Sequence, residues 1–280
     1  MTRALYAHSA DSSACEPGQL ALRAMQLSPA SRFLGRAWPS PPTEPEPDER
    51  GNLRLRPPKH GRLHLGCGDV YRRGYLNVDL PPKDGVAAGT SRPDLESDVT
   101  KISCPPNTLA EVRLHHLFEH FERAQALALL IRWFHWLRPD GQLCIETPDF
   151  ETCIADYAAR PVADQGVILR HIFGSQEAPW AQHRDGWSDN RFRYVLGELG
   201  FSRISTSRTY SDERRLLANV VVNAHRPSGH GPTREVQVSS ALRILRQSMN
   251  GDSSTEEILF ARWRSQFEAM LVDDLEDRHS

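Results

Sequence analysis

The sequence feature that most constrains the fold is a glycine turn within RLHLGCGDVYRRGYLNVDL, residues 62–80. Leu63, His64 and Leu65 predict a short buried strand that runs directly into the Gly-Cys-Gly turn. Gly66 can make a tight turn because it has no Cβ, and Gly68 lets the backbone approach a ligand closely. The turn therefore predicts a ligand site at the end of the first main strand.

A second predicted strand, Tyr75–Leu80, ends with an acid, Asp79. An acid at the carboxyl end of the second strand of such a sheet can accept hydrogen bonds from ribose hydroxyls. Only ten residues separate Gly68 from Asp79 and no third glycine follows at the expected offset, so the dinucleotide fingerprint is not met. No Lys-Ser or Lys-Thr pair follows the turn, which excludes a phosphate-binding P-loop. The pattern favours a nucleoside ligand without a pyrophosphate.

The same stretch resembles class I S-adenosylmethionine-dependent methyltransferases, most of all a bacterial branch with the pattern LxLGCG…GYxNVDL. Two further segments carry the resemblance, HHLFEH at 115–120 and LRPDGQLCIETPDF at 137–150. The resemblance covers residues 60–226. It implies a Rossmann-like methyltransferase sheet, mostly parallel with helices on both faces, and S-adenosylmethionine as the cofactor.

The order of the other predicted elements agrees with an α/β fold. A helix is predicted from Ala124 to Leu137, where apolar residues recur at spacings of three and four. Strands that alternate with helices indicate a parallel sheet. The other predicted strands are 95–99, 109–114, 142–147, 201–208 and 216–224. The other predicted helices are 152–173, interrupted at Pro161, and 189–199, capped by Asp189.

The chain divides into three predicted parts. Residues 1–55 are an N-terminal extension, poorly ordered or lid-like, that ends in the proline-rich linker WPSPPTEPEPDERG. Residues 56–226 are the methyltransferase domain, and residues 227–280 are a helical C-terminal extension. Its last helix carries an apolar stripe from Leu259 to Leu275, which indicates either core packing or a homodimer interface.

Composition excludes several classes of protein. The 280 residues carry a net charge of −2, which suggests no polyanionic partner, so we expect no nucleic acid. No apolar stretch reaches the roughly 18–20 residues that a membrane helix needs. The N-terminus lacks a basic region followed by an apolar core, the sign of a secretion signal. The five cysteines form no C-x-x-C pair and read as reduced thiols of a cytoplasmic protein.

His116, Glu119 and His120 form an H-x-x-E-H pattern, which on a helix also occurs in zinc peptidases. Its position argues against zinc, because it falls where a strand ends and a helix starts in a nucleotide-type sheet. No separate third acidic ligand stands out, so we predict no metal. The alternatives are a substrate- or cofactor-facing role, or a structural histidine with a glutamate stabilised by a helix start.

A second constellation is His183-x-Asp185-Gly186-Trp187. Loops between the late elements of such sheets commonly form the acceptor pocket, and a histidine with a tryptophan beside it could bind and deprotonate a hydroxyl. The alternative is a hydrogen-bonded loop histidine. Three nearby arginines either hold an anionic acceptor or solvate the surface: Arg184, Arg191 and Arg193.

These patterns and the resemblance together predict a site. The predicted catalytic bases are His183 and His116, in that order. In the family that the chain resembles, an acid at the position of Asp98 lies beside the adenine; the alternative is an exposed acid in a turn. The residues predicted to face the cofactor are Gly66, Cys67, Gly68, Tyr75, Asp79, Leu80, Asp98, His115 and Glu119.

The predicted function is methyl transfer to a hydroxyl or an amine of a small-molecule or saccharide-like acceptor. A hydroxyl acceptor needs a base, because it is barely nucleophilic at pH 7, whereas an amine does not always need one. Two other classes remain open at this stage. One is a non-catalytic binding protein with the methyltransferase fold, and the other is a different nucleoside-cofactor enzyme such as a dehydrogenase.

Overall fold

A computed structural model describes residue 48, residues 51–81 and residues 93–272. The predictions made for the first 47 residues and for Leu275 lie outside this part of the chain. Within it, no helix is long and apolar enough to cross a membrane.

The described chain is built around a seven-stranded sheet with the order β4-β3-β2-β6-β7-β9-β8. Strands β4, β3, β2, β6 and β7 run parallel, and β9 runs antiparallel to both of its neighbours. A mostly parallel, Rossmann-like sheet is therefore confirmed. Its strands are β2 (Arg62–Leu65), β3 (Leu76–Asp79), β4 (Leu95–Glu96), β6 (Leu109–His115), β7 (Leu137–Pro148), β8 (Ser202–Tyr210) and β9 (Ala218–His225).

The remaining elements flank this sheet. Strands β1 (Leu53–Arg54) and β5 (Ile102–Ser103) form a separate parallel pair. A short 3₁₀ turn, Phe118–His120, follows β6. The helices of the described chain are α1 (Arg123–Trp136), α2 (Phe150–Ala159), α3 (Val162–Phe173), α4 (Asp189–Glu198), α5 (Arg234–Arg246) and α6 (Ser254–Val272).

Residues alternate between apolar and polar along the central strands. Successive side chains of a strand point to opposite faces, so this alternation gives the sheet two different faces. One face contributes Leu63, Val112 and Ile145 to the main core, where the buried residues of α1 join them. On the other face the register aligns His64 with Asn77 of β3. Both of these polar residues are fully buried and bonded to each other.

Two local predictions need correction. The strand predicted at 142–147 begins earlier, at Leu137, and residues 138–141 form a bulge inside β7, since Leu137 pairs with Leu109 while Gln142 pairs with Glu111. Helix α4 is capped by Ser188 rather than by Asp189, because the Ser188 side chain accepts the Arg191 N–H. The break predicted near Pro161 is confirmed, and it separates α2 from α3.

The two flanking regions both join the main core. Leu53 and Leu55, which precede the predicted domain boundary at 56, are buried there. Helix α6 packs its apolar stripe on the same chain, with Phe267 fully buried and the Arg123 guanidinium 4.8 Å from the ring of Trp263. The described part of this stripe thus packs at least partly within the chain, and a homodimer through the C-terminal helix stays a prediction.

Candidate functional site

The glycine turn lies at the carboxyl end of β2, and both glycines adopt left-handed backbone angles. Gly66 has φ +63°, and a Cβ added there would lie 2.9 Å from the Cβ of Leu117. Gly68 has φ +50°, and an added Cβ would meet no described atom within 4 Å. Gly66 is therefore required by packing, whereas the space beside Gly68 is open to a ligand.

Asp79, the last residue of β3, contacts this turn. Its carboxylate accepts the Gly68 N–H at 2.5 Å and the Leu80 N–H at 2.7 Å. An ionised carboxylate offers about four acceptor sites, so these two bonds leave capacity for the hydroxyls of a ligand. Gly68 and Asp79, both predicted to face the cofactor, are thus in direct contact with each other at the carboxyl edge of the sheet.

Cys67, between the two glycines, holds the turn through its backbone rather than through its thiol. Its side chain is buried, and its N–H donates to the Val78 carbonyl at 3.1 Å. Burial raises the pKa of the Cys67 thiol to about 12, and the nearby Asp79 charge adds to the effect. The thiol is thus protonated at neutral pH and is not a nucleophile.

Asp98 and Tyr75 have different positions relative to this edge. Asp98 follows β4, whose Glu96 pairs with Asp79, and its carboxylate accepts from the Thr100 N–H and hydroxyl. Tyr75 precedes β3 and therefore lies at the opposite end of that strand from Asp79. Its hydroxyl donates to Glu111 at 2.7 Å. The structure separates Tyr75 from the glycine turn, contrary to its predicted place at the cofactor.

Two histidines end β6, beside the strand that carries the glycine turn. His115 lies across from Glu146 of β7, with Nε2 3.3 Å from the carboxylate. His116 has φ +50°, an uncommon angle for a residue with a side chain. Its Nδ1 lies 3.2 Å from Glu119. The pair His116–Glu119 is thus formed by a backbone reversal immediately after the strand.

Glu119 is the most buried acid of this region, with 1% of its surface exposed. One carboxylate oxygen contacts His116, and the other accepts the Thr147 hydroxyl at 2.9 Å. Burial alone would raise the pKa of Glu119, but the His116 hydrogen bond and the surrounding histidines lower it overall. For His116 the directions are reversed. Burial lowers its pKa, but the hydrogen bond and the charge of Glu119 together raise it by more, so that the pKa of His116 is raised overall. Glu119 is therefore an ionised centre among histidines, and no described contact joins it to Asp79.

The 174–187 loop packs against the 3₁₀ turn, Phe118–His120. The Arg184 N–H donates to the Glu119 carbonyl at 2.7 Å, and His120 Nδ1 lies 3.1 Å from the Gln182 carbonyl. His183 places Nδ1 3.2 Å from the Ile172 carbonyl and Nε2 3.9 Å from the Glu119 carboxylate. Burial lowers the pKa of His183. The two constellations found in the sequence therefore form one cluster.

Other residues of the loop have structural roles. Trp187 is fully buried, 4.8 Å from the ring of Phe192, so it does not face an acceptor as predicted. Arg191 forms two hydrogen bonds with Asp185, at 2.8 and 2.6 Å. Arg193 pairs with Asp189. Arg191 thus joins the loop to α4, whereas Arg193 pairs within α4 and donates to the Ile204 carbonyl at 3.0 Å.

A cavity of about 330 Å³ lies between the start of α1, the 174–187 loop and α6. It is basic and partly aromatic, and the glycine turn does not line it. Its lining includes Arg123, Arg184, Arg262 and Trp263. Arg184 directly follows His183, so this positive cavity adjoins the histidine cluster and could attract an anionic part of a ligand.

Sequence reasoning did not place His120 and Thr147 in the predicted site. His120 belongs to the H-x-x-E-H pattern, which was a usable signal, but its proximity to His183 depends on the docked loop. Thr147 ends the predicted strand at 142–147 and carries no distinctive motif. Its role becomes visible only through the hydrogen bond to Glu119.

Comparisons with known proteins find solved structures that resemble this chain at low sequence identity. No family model matches the chain, and no curated protein matches it. A possible exported protein from Bordetella parapertussis is 18% identical, with a TM-score of 0.40, over 62% of this chain and 63% of that one. A methyltransferase from Mesorhizobium loti is 17% identical, with a TM-score of 0.40, over 59% and 90%.

A third similar structure is a methyltransferase from Methanosarcina mazei. It is 10% identical, with a TM-score of 0.39, over 60% of this chain and 92% of that one. The M. mazei protein and the M. loti protein are both described as S-adenosylmethionine-dependent methyltransferases. Likeness at this distance carries no functional argument, which has to come from the site itself.

Proposed function

We propose that this chain is an S-adenosylmethionine-dependent methyltransferase that acts on a hydroxyl or an amine of a small-molecule or saccharide-like acceptor. The observation that carries the proposal is the Asp79–Gly68 contact, which combines an open glycine turn with a strand-end carboxylate. Ligands of parallel sheets bind at the carboxyl ends of the strands, where this contact lies.

The residues at this edge fit the cofactor. Asp79 would hold the ribose hydroxyls, and the backbone at Gly68 would lie against the ligand, where no side chain intervenes. Asp98 would lie beside the adenine. S-adenosylmethionine, when bound, supplies an electrophilic methyl group. The protein then has to align the acceptor and exclude water from the site.

His116 is better placed than His183 to act as the base for a hydroxyl acceptor. Its Nδ1 must donate to Glu119, because an ionised carboxylate only accepts, so the neutral ring has its lone pair on Nε2. When Nε2 takes the acceptor proton, the Glu119 carboxylate stabilises the resulting imidazolium. His183 lacks such a bond, since its Nε2 is 3.9 Å from Glu119. We therefore reverse the order of the two predicted bases.

The cluster also supports a hydroxyl-bearing acceptor such as a saccharide. It offers imidazole and carboxylate groups on half-buried or buried side chains, which can bind hydroxyls in directed hydrogen bonds. An amine acceptor would use the same pocket and would depend less on His116 as a base.

Isothermal titration of the full-length chain with S-adenosylhomocysteine, and separately with NAD, tests the proposal. We expect binding of the first and none of the second. Asp79→Ala removes a charged acceptor that is worth roughly 1.5–3 kcal/mol, so the affinity should fall by about 10- to 100-fold.

Asp140→Ala is the matched control, because Asp140 is an exposed acid in the β7 bulge whose side chain pairs with Arg203. That variant should bind S-adenosylhomocysteine as the wild type does. Binding of NAD instead, or full affinity in a folded Asp79→Ala protein, would contradict the proposal.

A further inference from the structure

Three side chains that can bind a metal ion converge where the 3₁₀ turn contacts the 174–187 loop. They are Glu119, His120 and His183. One ligand atom from each lies within 4.8 Å of those of the other two. The expectation of no metal rested on the position of H-x-x-E-H and on the lack of a separate third acidic ligand. The docked loop supplies a third ligand of another kind, the imidazole of His183.

The two imidazoles of this cluster are held in the same way. His120 Nδ1 lies 3.1 Å from the Gln182 carbonyl, and His183 Nδ1 lies 3.2 Å from the Ile172 carbonyl. A carbonyl only accepts, so each Nδ1 carries the proton and each neutral ring has its lone pair on Nε2. Metal-binding histidines are oriented by such a second hydrogen bond from the other ring nitrogen.

The carboxylate of Glu119 is oriented too, by the Thr147 hydroxyl on one oxygen and by His116 on the other. His183 Nε2 lies 3.9 Å from the His116-bonded oxygen, too far for a hydrogen bond, and it has no proton to donate. A lone pair that faces a buried anion is repelled by it unless a cation lies between them. The arrangement therefore suits an ion that binds both groups.

We propose that Glu119, His120 and His183 bind one divalent first-row transition-metal ion of the Zn²⁺ type. Two imidazoles and one carboxylate are a ligand set that Zn²⁺ uses, whereas Mg²⁺ prefers oxygen ligands alone. Three protein ligands also leave a coordination position open, as catalytic zinc sites do and structural ones do not.

The open position gives the ion a role that rests on the proposed function. A hydroxyl of the acceptor that occupied it would lose its proton more easily. The proton would pass to His116, which is bonded to the same carboxylate as the ion. The hydroxyl oxygen would then form the new bond to the methyl carbon as the carbon–sulfur bond breaks.

The proposed site differs from that of a zinc peptidase because His183 of the loop, and not His116, is the second histidine ligand. In the H-x-x-E-H pattern of those enzymes the two histidines lie on one helix, but here Nδ1 of His116 is bonded to Glu119. A neighbouring group, His115 with His116 and Glu146, also has ligand atoms close together. There the His115 Nε2 faces Glu146 at 3.3 Å and donates to it, so that nitrogen has no lone pair for an ion.

The test is zinc binding by the full-length chain, first stripped with a chelator, in the absence of cofactor. We expect one Zn²⁺ per chain by calorimetry and by elemental analysis. His120→Ala and His183→Ala should each weaken binding by at least about 100-fold, while His115→Gln stays near the wild type. Co²⁺ should give visible absorption bands in the wild type that His183→Ala abolishes.

Circular dichroism checks that each variant is folded. If His183→Ala does not fold, His120→Ala decides, because His120 is only half-buried. Wild-type protein that takes up no Zn²⁺ or Co²⁺, or a folded His120→Ala protein that binds zinc as tightly as the wild type, would overturn the site. Titration with S-adenosylhomocysteine separates the two proposals. If that ligand binds and zinc does not, the site fails alone; if zinc binds and that ligand does not, the methyl-transfer role fails alone.

Discussion

Replacing each glycine of the turn by alanine should separate packing from ligand binding. Both positions have positive φ, where an L-residue costs roughly 1–2 kcal/mol relative to glycine. Part of this cost, about 0.4–1 kcal/mol, is offset because alanine restricts the unfolded chain. Their surroundings then differ, because only Gly66 faces another side chain closely.

At Gly66 the new Cβ would lie 2.9 Å from the Cβ and 2.9 Å from a Cδ atom of Leu117. Such overpacking adds typically about 1–3 kcal/mol, so Gly66→Ala should lose roughly 2–4 kcal/mol of unfolding free energy. At Gly68 nothing lies within 4 Å of the new Cβ, so Gly68→Ala should lose only about 1 kcal/mol. For a domain of this size, 1 kcal/mol corresponds to roughly 2–4 °C in Tm.

Thermal unfolding and titration with S-adenosylhomocysteine measure the two effects on the same samples. Gly66→Ala should melt clearly below the wild type. Gly68→Ala should melt within about 4 °C of it and yet bind the ligand at least about tenfold more weakly, because its methyl group occupies the ligand's space. A Gly68→Ala protein with wild-type affinity would refute the assignment of this turn to the cofactor. Equal stability losses in the two variants would refute the packing argument.

Two further predictions concern stability. Burial lowers the pKa of His64 from 6.5 to about 4, although the hydrogen bond that His64 Nδ1 donates to Asn77 Oδ1 raises it. The unfolded chain thus takes up the proton first, and up to about 3 kcal/mol of unfolding free energy is lost as pH falls from 6.5 to 4. His64→Gln should lose that slope in urea unfolding, and an unchanged slope would contradict it. Phe267→Ala should cost about 3–5 kcal/mol in the same assay, whereas Ile258→Ala, 73% exposed, should cost little; equal effects would show that α6 does not pack as described.

The parts of the fold that the sequence predicts are those whose signal is local. The order of strands and helices follows from apolar periodicity. The glycine turn and Asp79 lie at the same edge because they end or directly follow neighbouring parallel strands. The bulge at Asp140 was missed because a Pro-Asp-Gly run has the same composition whether it makes a turn or a bulge. The cap of α4 was missed by one residue because Ser188 and Asp189 are both good caps.

The candidate site could be predicted only in pieces. His116 and Glu119 stand out as a pattern, and His183 as another, but no local rule says that a loop after α3 returns to the 3₁₀ turn. Tyr75 was predicted to face the cofactor because it is close to the glycine turn along the chain. In the sheet the two are apart, because the turn follows the end of β2 whereas Tyr75 precedes the start of β3. It pairs with Glu111 at the far end of β3, and such pairing depends on the strand order.

The link between the two halves of the histidine cluster is an aromatic contact in the core. Phe118 directly precedes Glu119, and Trp187 ends the loop that carries His183. Their rings lie 4.7 Å apart, and Trp187 also stacks on Phe192 of α4. All three aromatic side chains are at most 1% exposed, so any shift of the loop would open a void in a closely packed core. Catalytic and metal ligands need positions fixed to about 0.5 Å, which a surface loop alone rarely gives. The buried tryptophan therefore explains how a loop histidine can be held against a carboxylate of a distant strand end.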